Sequence, residues 1–307
     1  MTALAIHMNR SVLQASLSEG RFRLFFQAQY TVETRAVAGF EGVVRWNHPE
    51  LGLLPPGLFM AALVREGFAG ALTCAVAAQA AHAATEWARQ GRPAPVAINI
   101  GLEEARDPQF PARLEDVVRA TGAGPEMLVL EAPEAELARD PIEGFTALER
   151  LQARGFAIAL DSRGAGDIPL DGRARALFSG LKCGGPSDLQ VASSLGAGHA
   201  SPFARRLLAA RAAGLTTTAV GVETTASIPI FEELGFSCLQ GNALHRPSPI
   251  EDASAAFDGP QNAAPAETAP AVLTAPAPRA PAPEPVFSPA PQRLRFGRMG
   301  MGLIEEA

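Results

Sequence analysis

The stretch Phe156–Lys182, FAIALDSRGAGDIPLDGRARALFSGLK, carries the signal that decides the fold. It opens with an apolar run, Phe156–Leu160, that is typical of a buried strand, and Asp161 follows that run directly. A glycine-bearing loop comes next, and a second short apolar run ends on Lys182. An acid after one buried strand and a lysine after the next predict that both side chains lie at one rim of a parallel sheet, although a capped strand with an ordinary loop has the same local pattern.

Strands and helices alternate along most of the chain. The predicted strands cover residues 22–30, 36–46, 95–100, 127–131, 156–161, 177–182, 215–222 and 237–241. The predicted helices cover residues 9–19, 56–67, 70–90, 111–120, 141–153, 202–213 and 227–234. The first two strands form a hairpin, and residues 47–52, with His48, are predicted to be loop. The rest alternates as βα units do, which predicts a closed α/β barrel of the TIM type with an opening hairpin.

Composition narrows the class of protein. The 307 residues include 47% hydrophobic and 19% charged residues, so a large core is expected. The net charge of −6 argues against a nucleic-acid partner. No apolar run approaches the roughly 20 residues needed to span a bilayer, and the N-terminus lacks the layout of a signal peptide, so no membrane association is expected. Three scattered cysteines without CxxC spacing indicate thiols in a reducing compartment, which predicts a cytoplasmic protein.

The composition changes near the C-terminus, and this change divides the chain. Residues 1–20 are predicted to lead into the barrel with a helix, and residues 20–257 to form the barrel. Residues 258–292 are rich in Pro and Ala and are predicted to be a disordered linker. Residues 293–307 form a short basic and apolar segment. This segment is either a docking peptide for a partner protein or a disordered end without a partner.

Polar residues recur where the predicted strands end: Glu41, Arg45, Asn99, Glu131, Asp161, Lys182, Glu223 and Gln240. Carboxylates and a carboxamide at one rim suit a hard divalent cation such as Mg²⁺ or Mn²⁺. Arg45 and Lys182, which is the only lysine in the chain, are suited to bind a phosphate. Together these residues predict metal-assisted chemistry on a phosphodiester. No Ser or Cys nucleophile with a His partner is evident.

A series of short blocks resembles the EAL family, the cyclic-di-GMP phosphodiesterase domain of bacterial signalling. The block Glu41–Pro49, EGVVRWNHP, resembles the signature that names the family. The other matching blocks are, in family order, Phe26–Gln29, Ala97–Ile100, Leu130–Glu134, Leu160–Gly166, Leu181–Lys182, Gly221–Thr224, Gln240–Gly241 and Arg246–Pro249. The resemblance covers about residues 20–250 and implies an EAL-type barrel.

The resemblance also implies roles for individual residues. The residues implied to hold the first metal ion, Mg²⁺ or Mn²⁺, are Glu41, Asn99, Glu131 and Asp161. The residues implied to bind cyclic di-GMP are Gln27, Glu41, Val43, Arg45, Lys182 and Gln240. If the domain is active, Glu134 and Lys182 are implied to serve catalysis. EAL barrels often dimerise near the loop that follows Asp161; because this loop is altered here, both a homodimer and a monomer stay open.

Several positions depart from the family pattern, and the second metal ion depends on them. Ser162 stands in place of the second aspartate of a double-Asp motif, and Val220 in place of a glutamate. Gly184 replaces another aspartate, while Arg163 and Ala165 replace a Phe and a Thr in the loop. A neutral hydroxyl and an alkyl group cannot supply the lost carboxylate ligands, so hydrolysis at family rates is not expected.

Three functions remain open from the sequence. The first is a catalytically silent receptor for cyclic di-GMP that acts through a protein partner. The second is a nucleotide-independent scaffold that binds a protein through the barrel surface or the C-terminal segment. The third is a weak, metal-dependent phosphodiesterase that produces linear pGpG, which would need a replacement acid such as Asp167 or Asp171.

Overall fold

Two long antiparallel strands, β1 (Phe22–Thr31) and β2 (Val37–His48), open the fold in a computed structural model that describes residues 8–162, 168–170, 172–184 and 202–260. Their register runs from Phe22 opposite Trp46 to Tyr30 opposite Val37, with an irregularity at Gln29/Tyr30. The predicted hairpin is therefore confirmed.

Parallel strands continue from β2 around a closed ring. In chain order the remaining strands are β3 (Gly52–Leu54), β4 (Val96–Asn99), β5 (Leu128–Pro133), β6 (Ala157–Asp161), β7 (Phe178–Cys183), β8 (Thr216–Ala219) and β9 (Cys238–Leu239). The order around the ring is β1-β9-β8-β7-β6-β5-β4-β2, and the β1–β2 pairing closes it. β1 is antiparallel to both of its neighbours, and β2 and β4 to β9 run parallel. This closed eight-stranded barrel with one reversed strand confirms the predicted fold.

Helices cover the outside of the ring. Within the described residues they are α1 (Arg10–Ser18), α2 (Pro56–Arg65), α3 (Ala69–Arg89), α4 (Leu102–Arg106), α5 (Phe110–Arg119), α6 (Glu134–Leu137), α7 (Pro141–Gln152), α8 (Gly172–Leu177), α9 (Pro202–Ala212), α10 (Ile228–Leu234) and α11 (Ile250–Ala253). The sequence predicted the long ones and missed α4, α6, α8 and α11, which have four to six residues each. Helices that short lack the full apolar period on which the prediction rests.

The two faces of β1 have different roles. Its even-numbered residues, Phe22 to Tyr30, are buried, while its odd-numbered residues face the opposite way. On the even face, Phe22 stacks on Trp46 with ring centroids 5.2 Å apart. Phe40 of β2 stacks on Trp87 of α3 at 4.2 Å. Because the aromatic packing takes up the outer face, the odd-numbered polar residues of β1 face the polar side chains of β2 inside the ring.

The segment after β2 differs from its prediction as a loop. β2 extends through His48, and β3 pairs with it so that Trp46 lies opposite Leu54. The turn between them is closed by His48, whose Nδ1 accepts hydrogen bonds from the backbone N–H groups of Glu50 and Leu51, both at 3.1 Å. The loop prediction was wrong because this capped turn is short enough for a hairpin.

The C-terminal part of the chain stays a prediction. The linker at 258–292 falls outside the described residues beyond position 260, and the segment 293–307 falls outside them entirely. Among the described residues, every helix is too short or too polar to cross a bilayer.

Candidate functional site

The strand ends bring the predicted polar residues to one rim of the barrel. In the parallel registers, Asn99 lies opposite Glu131, and Asp161 lies opposite Lys182. Glu41 lies on β2, one position away from the Gly42–Ile98 pair. Because the parallel strands point the same way around the ring, the side chains of five consecutive strands meet there.

Lys182 is the centre of this cluster. Its Nζ donates to Glu41 Oε2 at 2.6 Å and to both carboxylate oxygens of Glu131 at 2.9 Å. Asn99 Nδ2 donates to the other oxygen of Glu41 at 3.0 Å. Lys182 is 3% exposed and Glu131 is 2% exposed, so this is a buried ionic cluster and not a surface ion pair.

The two glutamates respond differently to the same lysine. Burial alone would raise the pKa of Glu41, but the Lys182 charge and hydrogen bonds from Lys182, Gln240 and Asn99 outweigh it and lower the pKa to about 2. Burial raises the pKa of Glu131 to about 7, and the neighbouring charges of Glu41 and Asp161 add to the rise against the effect of Lys182. One ammonium therefore compensates Glu41 well and Glu131 poorly, so the cluster holds more negative than positive charge.

Glutamines extend the cluster toward β1. Gln240 Nε2 donates to Glu41 Oε2 at 2.6 Å and to Gln27 Oε1 at 3.0 Å. Gln29 Nε2 donates to Gln240 Oε1 at 3.0 Å. The structure therefore joins Gln27, Glu41 and Gln240, which the sequence predicted as ligand-binding residues, and adds Gln29. The sequence offered a signal for Gln29, since it alternates with Gln27 along a strand and so shares its face.

A second set of contacts ties Gln27 to the segment after β9. Gln27 Nε2 donates to the backbone oxygen of His245 at 3.0 Å and to Asn242 Oδ1 at 3.4 Å. Asn242 Nδ2 in turn donates to Glu223, at 3.1 Å to the nearer oxygen. Glu223 is thus connected to the edge of the site by its hydrogen bond with Asn242. Asn242 and His245 were missed because both follow the last strand, and their approach to β1 depends on ring closure.

Val43 and Arg45 lie further along β2, on the same face as Glu41. Val43 is half-buried opposite Phe25. Arg45 donates from Nη1 to the Val44 backbone oxygen at 3.0 Å, and its guanidinium lies 5.8 Å from the centre of the Phe25 ring. Partial burial lowers the pKa of Arg45, which still leaves the guanidinium charged at neutral pH.

Glu134 is engaged elsewhere. This side chain is 1% exposed, and its Oε1 accepts from the backbone N–H of Ile168 at 2.9 Å and from Arg206 of α9. Arg206 Nη1 also donates to the Ile168 backbone oxygen at 2.7 Å. Glu134 and Arg206 therefore hold the segment that resumes after β6 in place, and no sequence pattern indicated Arg206.

The substituted positions lie next to the cluster. Asp161 and Ser162 are both buried, and the Ser162 N–H donates to the Lys182 backbone oxygen at 2.8 Å. Val220 is buried, with its N–H donating to the Cys183 backbone oxygen at 3.1 Å. Asp167 and Asp171, the acids considered as replacements, fall outside the described residues.

The donor chemistry fits one divalent cation. Three carboxylates and the carboxamide oxygen of Asn99 are hard ligands, and a dication would stabilise the charged form of Glu131, which burial and the neighbouring carboxylates disfavour. Lys182 currently lies between two of these carboxylates, and among the described residues no three Asp, Glu, His or Cys side chains are grouped as a metal site. A cation would therefore compete with the ammonium for the same oxygens.

The fold is an α/β barrel with one reversed strand, and its rim carries an acidic cluster around a buried lysine. A comparison with known families finds a family with which both features agree. Residues 10–247 match the family model described as "EAL domain", so the chain belongs to the EAL domain family. The match begins at residue 10, which places α1 within the domain.

The similar curated proteins described below come from bacteria. An uncharacterized protein of Mycobacterium tuberculosis is 29% identical over 250 residues, which is 80% of this chain and 81% of that protein. An uncharacterized signaling protein of Caulobacter vibrioides is 28% identical over 78% of this chain and 29% of its own length. Cyclic di-GMP phosphodiesterase RocR of Pseudomonas aeruginosa is 26% identical over 76% of this chain and 59% of RocR. The chain thus spans under a third of the Caulobacter protein and somewhat over half of RocR.

Solved structures show the same barrel. The PaMucR phosphodiesterase in its c-di-GMP complex superposes with a TM-score of 0.70 at 26% identity, covering 78% of this chain and 97% of that chain. The FimX EAL domain of Xanthomonas citri, in complex with c-diGMP, gives a TM-score of 0.66 over 81% of this chain and 97% of its own. At 20% identity, FimX supports the fold alone.

Proposed function

We propose that this EAL domain is a receptor for cyclic di-GMP that does not hydrolyse it at the rate of an active phosphodiesterase. The observation that carries the proposal is the hydrogen-bonded assembly of Gln27, Glu41, Lys182 and Gln240 at one rim. RocR is a cyclic di-GMP phosphodiesterase by name, and PaMucR was solved in complex with c-di-GMP. These relatives support the choice of ligand.

The substituted acids support catalytic silence. Two positions that would supply carboxylates for a second metal ion hold Ser162 and Val220, and both side chains are buried beside the cluster. Glu134 is bound to Arg206 and Ile168, so it is not available to the reacting phosphate in this arrangement. A second ion would stabilise an attacking hydroxide, and the described residues offer it too few oxygen ligands.

The proposal includes a place for one Mg²⁺ or Mn²⁺ ion, which the ligand does not need in order to bind. Glu41, Asn99, Glu131 and Asp161 would hold it, and when bound it would neutralise charge on a phosphate oxygen. The protein's own groups would orient the ligand: Lys182 and Arg45 by charge, and Gln27 and Gln240 by hydrogen bonds. The proposed place of action is the cytoplasm, because the protein has free cysteines, which a reducing compartment preserves.

The test is calorimetric titration with cyclic di-GMP, once in Ca²⁺ to prevent turnover and once in EDTA. Micromolar or tighter binding in either buffer, with no linear pGpG formed in Mg²⁺ or Mn²⁺, is the expected result. Turnover at a rate typical of enzymes would favour the alternative of an active phosphodiesterase. Failure to bind in both buffers would leave the scaffold as the function to pursue.

A surface feature favours a protein partner as part of the same function. Ile142, at the start of α7, is 78% exposed beside a cavity of about 370 Å³ that Phe145, Ile168 and Pro169 line. A contact with another protein would cover this exposed side chain and fill the apolar hollow beside it. A change of Ile142→Glu should abolish association with a partner protein, or with a second copy of this chain, and light scattering of the purified protein distinguishes the two.

A further inference from the structure

An arginine that the family resemblance does not single out lies directly opposite Arg45. In the antiparallel register of β1 and β2, Arg23 pairs with Arg45. Two residues further along β1 is Phe25, and two beyond that is Gln27, which contacts the central cluster. Because side chains alternate along a strand, Arg23, Phe25 and Gln27 share one face, so both arginines lie on the face that carries the site.

The two guanidinium groups have no carboxylate partner in the described part of the chain. Arg45 contacts only a backbone oxygen and the Phe25 ring there, and Arg23 is exposed with no ion pair or side-chain hydrogen bond among the same residues. Many other arginines of this barrel, such as Arg119 and Arg173, are paired with glutamates. Like charges directly opposite each other on a sheet destabilise it. This cost calls for an anion that the described residues do not supply.

The position of the pair suits one end of an extended ligand. Arg45 lies four residues beyond Glu41, which is about 13 Å along the strand. Long arginine side chains can reach back over part of that distance, while the glutamines and Lys182 hold the other end. Phe25 lies between Arg23 and Gln27 on this face and is half-buried, so its ring offers a surface for a base.

We propose that Arg23 and Arg45 form a guanidinium pair that binds a phosphate of the dinucleotide, and that this pair makes binding independent of a divalent metal ion. The proposal rests on the proposed function and adds to it the residue Arg23 and the source of the neutralising charge. Ser162 and Val220 occupy the positions of two acids that would hold a second metal ion. Two planar guanidinium forks supply positive charge to a phosphate without any ion, each by two parallel hydrogen bonds.

The test measures binding of cyclic di-GMP in EDTA by calorimetry for the whole chain and three variants. Arg23→Gln should weaken binding about tenfold and reduce its sensitivity to salt. Arg23→Lys keeps the charge but loses the fork, so an intermediate loss is expected. Arg119→Gln removes an exposed arginine from the C-terminal end of α5, at the opposite end of the barrel, and should bind like the unaltered chain.

Wild-type binding in EDTA with an unchanged affinity in Arg23→Gln would overturn the role of Arg23. Binding that needs Ca²⁺ or Mg²⁺ would overturn the metal independence. If the unaltered chain does not bind cyclic di-GMP in any buffer, the proposed function fails. Thermal denaturation with inorganic pyrophosphate then tests whether Arg23 and Arg45 bind an anion. The anion site is supported if pyrophosphate stabilises the unaltered chain and Arg119→Gln against heat but does not stabilise Arg23→Gln. It is rejected if pyrophosphate does not stabilise the unaltered chain.

Discussion

The ammonium of Lys182 lies 2.6 Å from the carboxylate of Glu41, and both side chains are buried at the rim of the barrel. A lysine at this depth is costly unless oppositely charged groups surround it. Burial would lower its pKa, but the charges of Glu131 and Glu41 raise it instead. The lysine therefore stays charged, and its ammonium is held between the carboxylates of Glu41 and Glu131.

Removing that lysine should destabilise the whole barrel. Lys182→Met leaves Glu41 and Glu131 buried without their shared cation, and loss of one partner of a buried ion pair costs about 3–5 kcal/mol. Chemical denaturation at neutral pH measures this loss. The double variant Lys182→Met with Glu131→Gln should recover part of it, because one of the stranded charges is gone. A loss below about 1 kcal/mol in the single variant would show that the cluster does not contribute to folding.

The Glu134–Arg206 pair is expected to behave as a coupled unit. Within the described parts of the chain, Arg206→Met leaves the buried carboxylate with only the Ile168 N–H, so a loss of about 2–3 kcal/mol in the free energy of unfolding is expected. Glu134→Gln alone should also destabilise, and the double variant should lose less than the sum of the two. Arg175→Met, at an exposed position on α8, is the control. Additive losses in this double-mutant cycle would exclude a direct interaction.

Tyr30 offers a direct measurement of pH dependence, since it is the only tyrosine in the chain. Its ring is fully buried, and its hydroxyl donates to the Ala256 backbone oxygen at 3.3 Å. Burial raises the pKa of Tyr30 to about 12. The unfolded chain ionises near pH 10, so the folded state, which keeps the proton, loses stability as pH rises from about 10 to about 12.

We expect that loss to be about 1–2 kcal/mol, allowing for partial solvation of the hydroxyl. The near-ultraviolet absorbance of tyrosinate reports the ionisation directly, and circular dichroism on the same samples reports folding. The unfolded chain in denaturant should ionise near pH 10 and serves as the reference. Ionisation near pH 10 in a chain that is still folded would contradict the burial of Tyr30.

The sequence was sufficient for the barrel because several of its parallel strands are short apolar runs that lead directly into a polar residue. Asp161 and Lys182 illustrate this: each follows a buried run, and the two lie opposite each other in the parallel register. β3 escaped prediction because the turn that creates it depends on one side chain, His48, accepting two backbone hydrogen bonds.

Long-range partners were the part of the site that the sequence could not supply. Arg206 lies 72 positions from Glu134, and Asn242 lies 215 positions from Gln27. Neither contact follows from any local period, because each depends on which strands end up as neighbours when the ring closes. The alternation of Gln27 and Gln29 along β1 was readable, since a shared face needs only the strand period of two.

Restoring the lost acids tests whether the rest of the site still suits catalysis. Val220 lies at the end of β8, and Ser162 follows the last residue of β6, so both changes place a carboxylate beside the existing cluster. We expect Ser162→Asp with Val220→Glu to produce measurable hydrolysis of cyclic di-GMP to linear pGpG in Mg²⁺ or Mn²⁺. Chromatography of the product measures it, and each single variant should give less than the double variant.

The same pair of changes carries a structural cost, which makes the outcome informative. Val220 is 9% exposed, and a glutamate there without a cation adds a buried charge to a cluster that already has more acids than bases. The double variant should therefore be less stable than the unaltered chain in EDTA and should regain stability as Mg²⁺ or Mn²⁺ is added. Stabilisation by metal without hydrolysis would place the defect in the position of the attacking water. If cyclic di-GMP still binds but metal gives neither stabilisation nor hydrolysis, the carboxylate introduced at position 162 does not reach the ions.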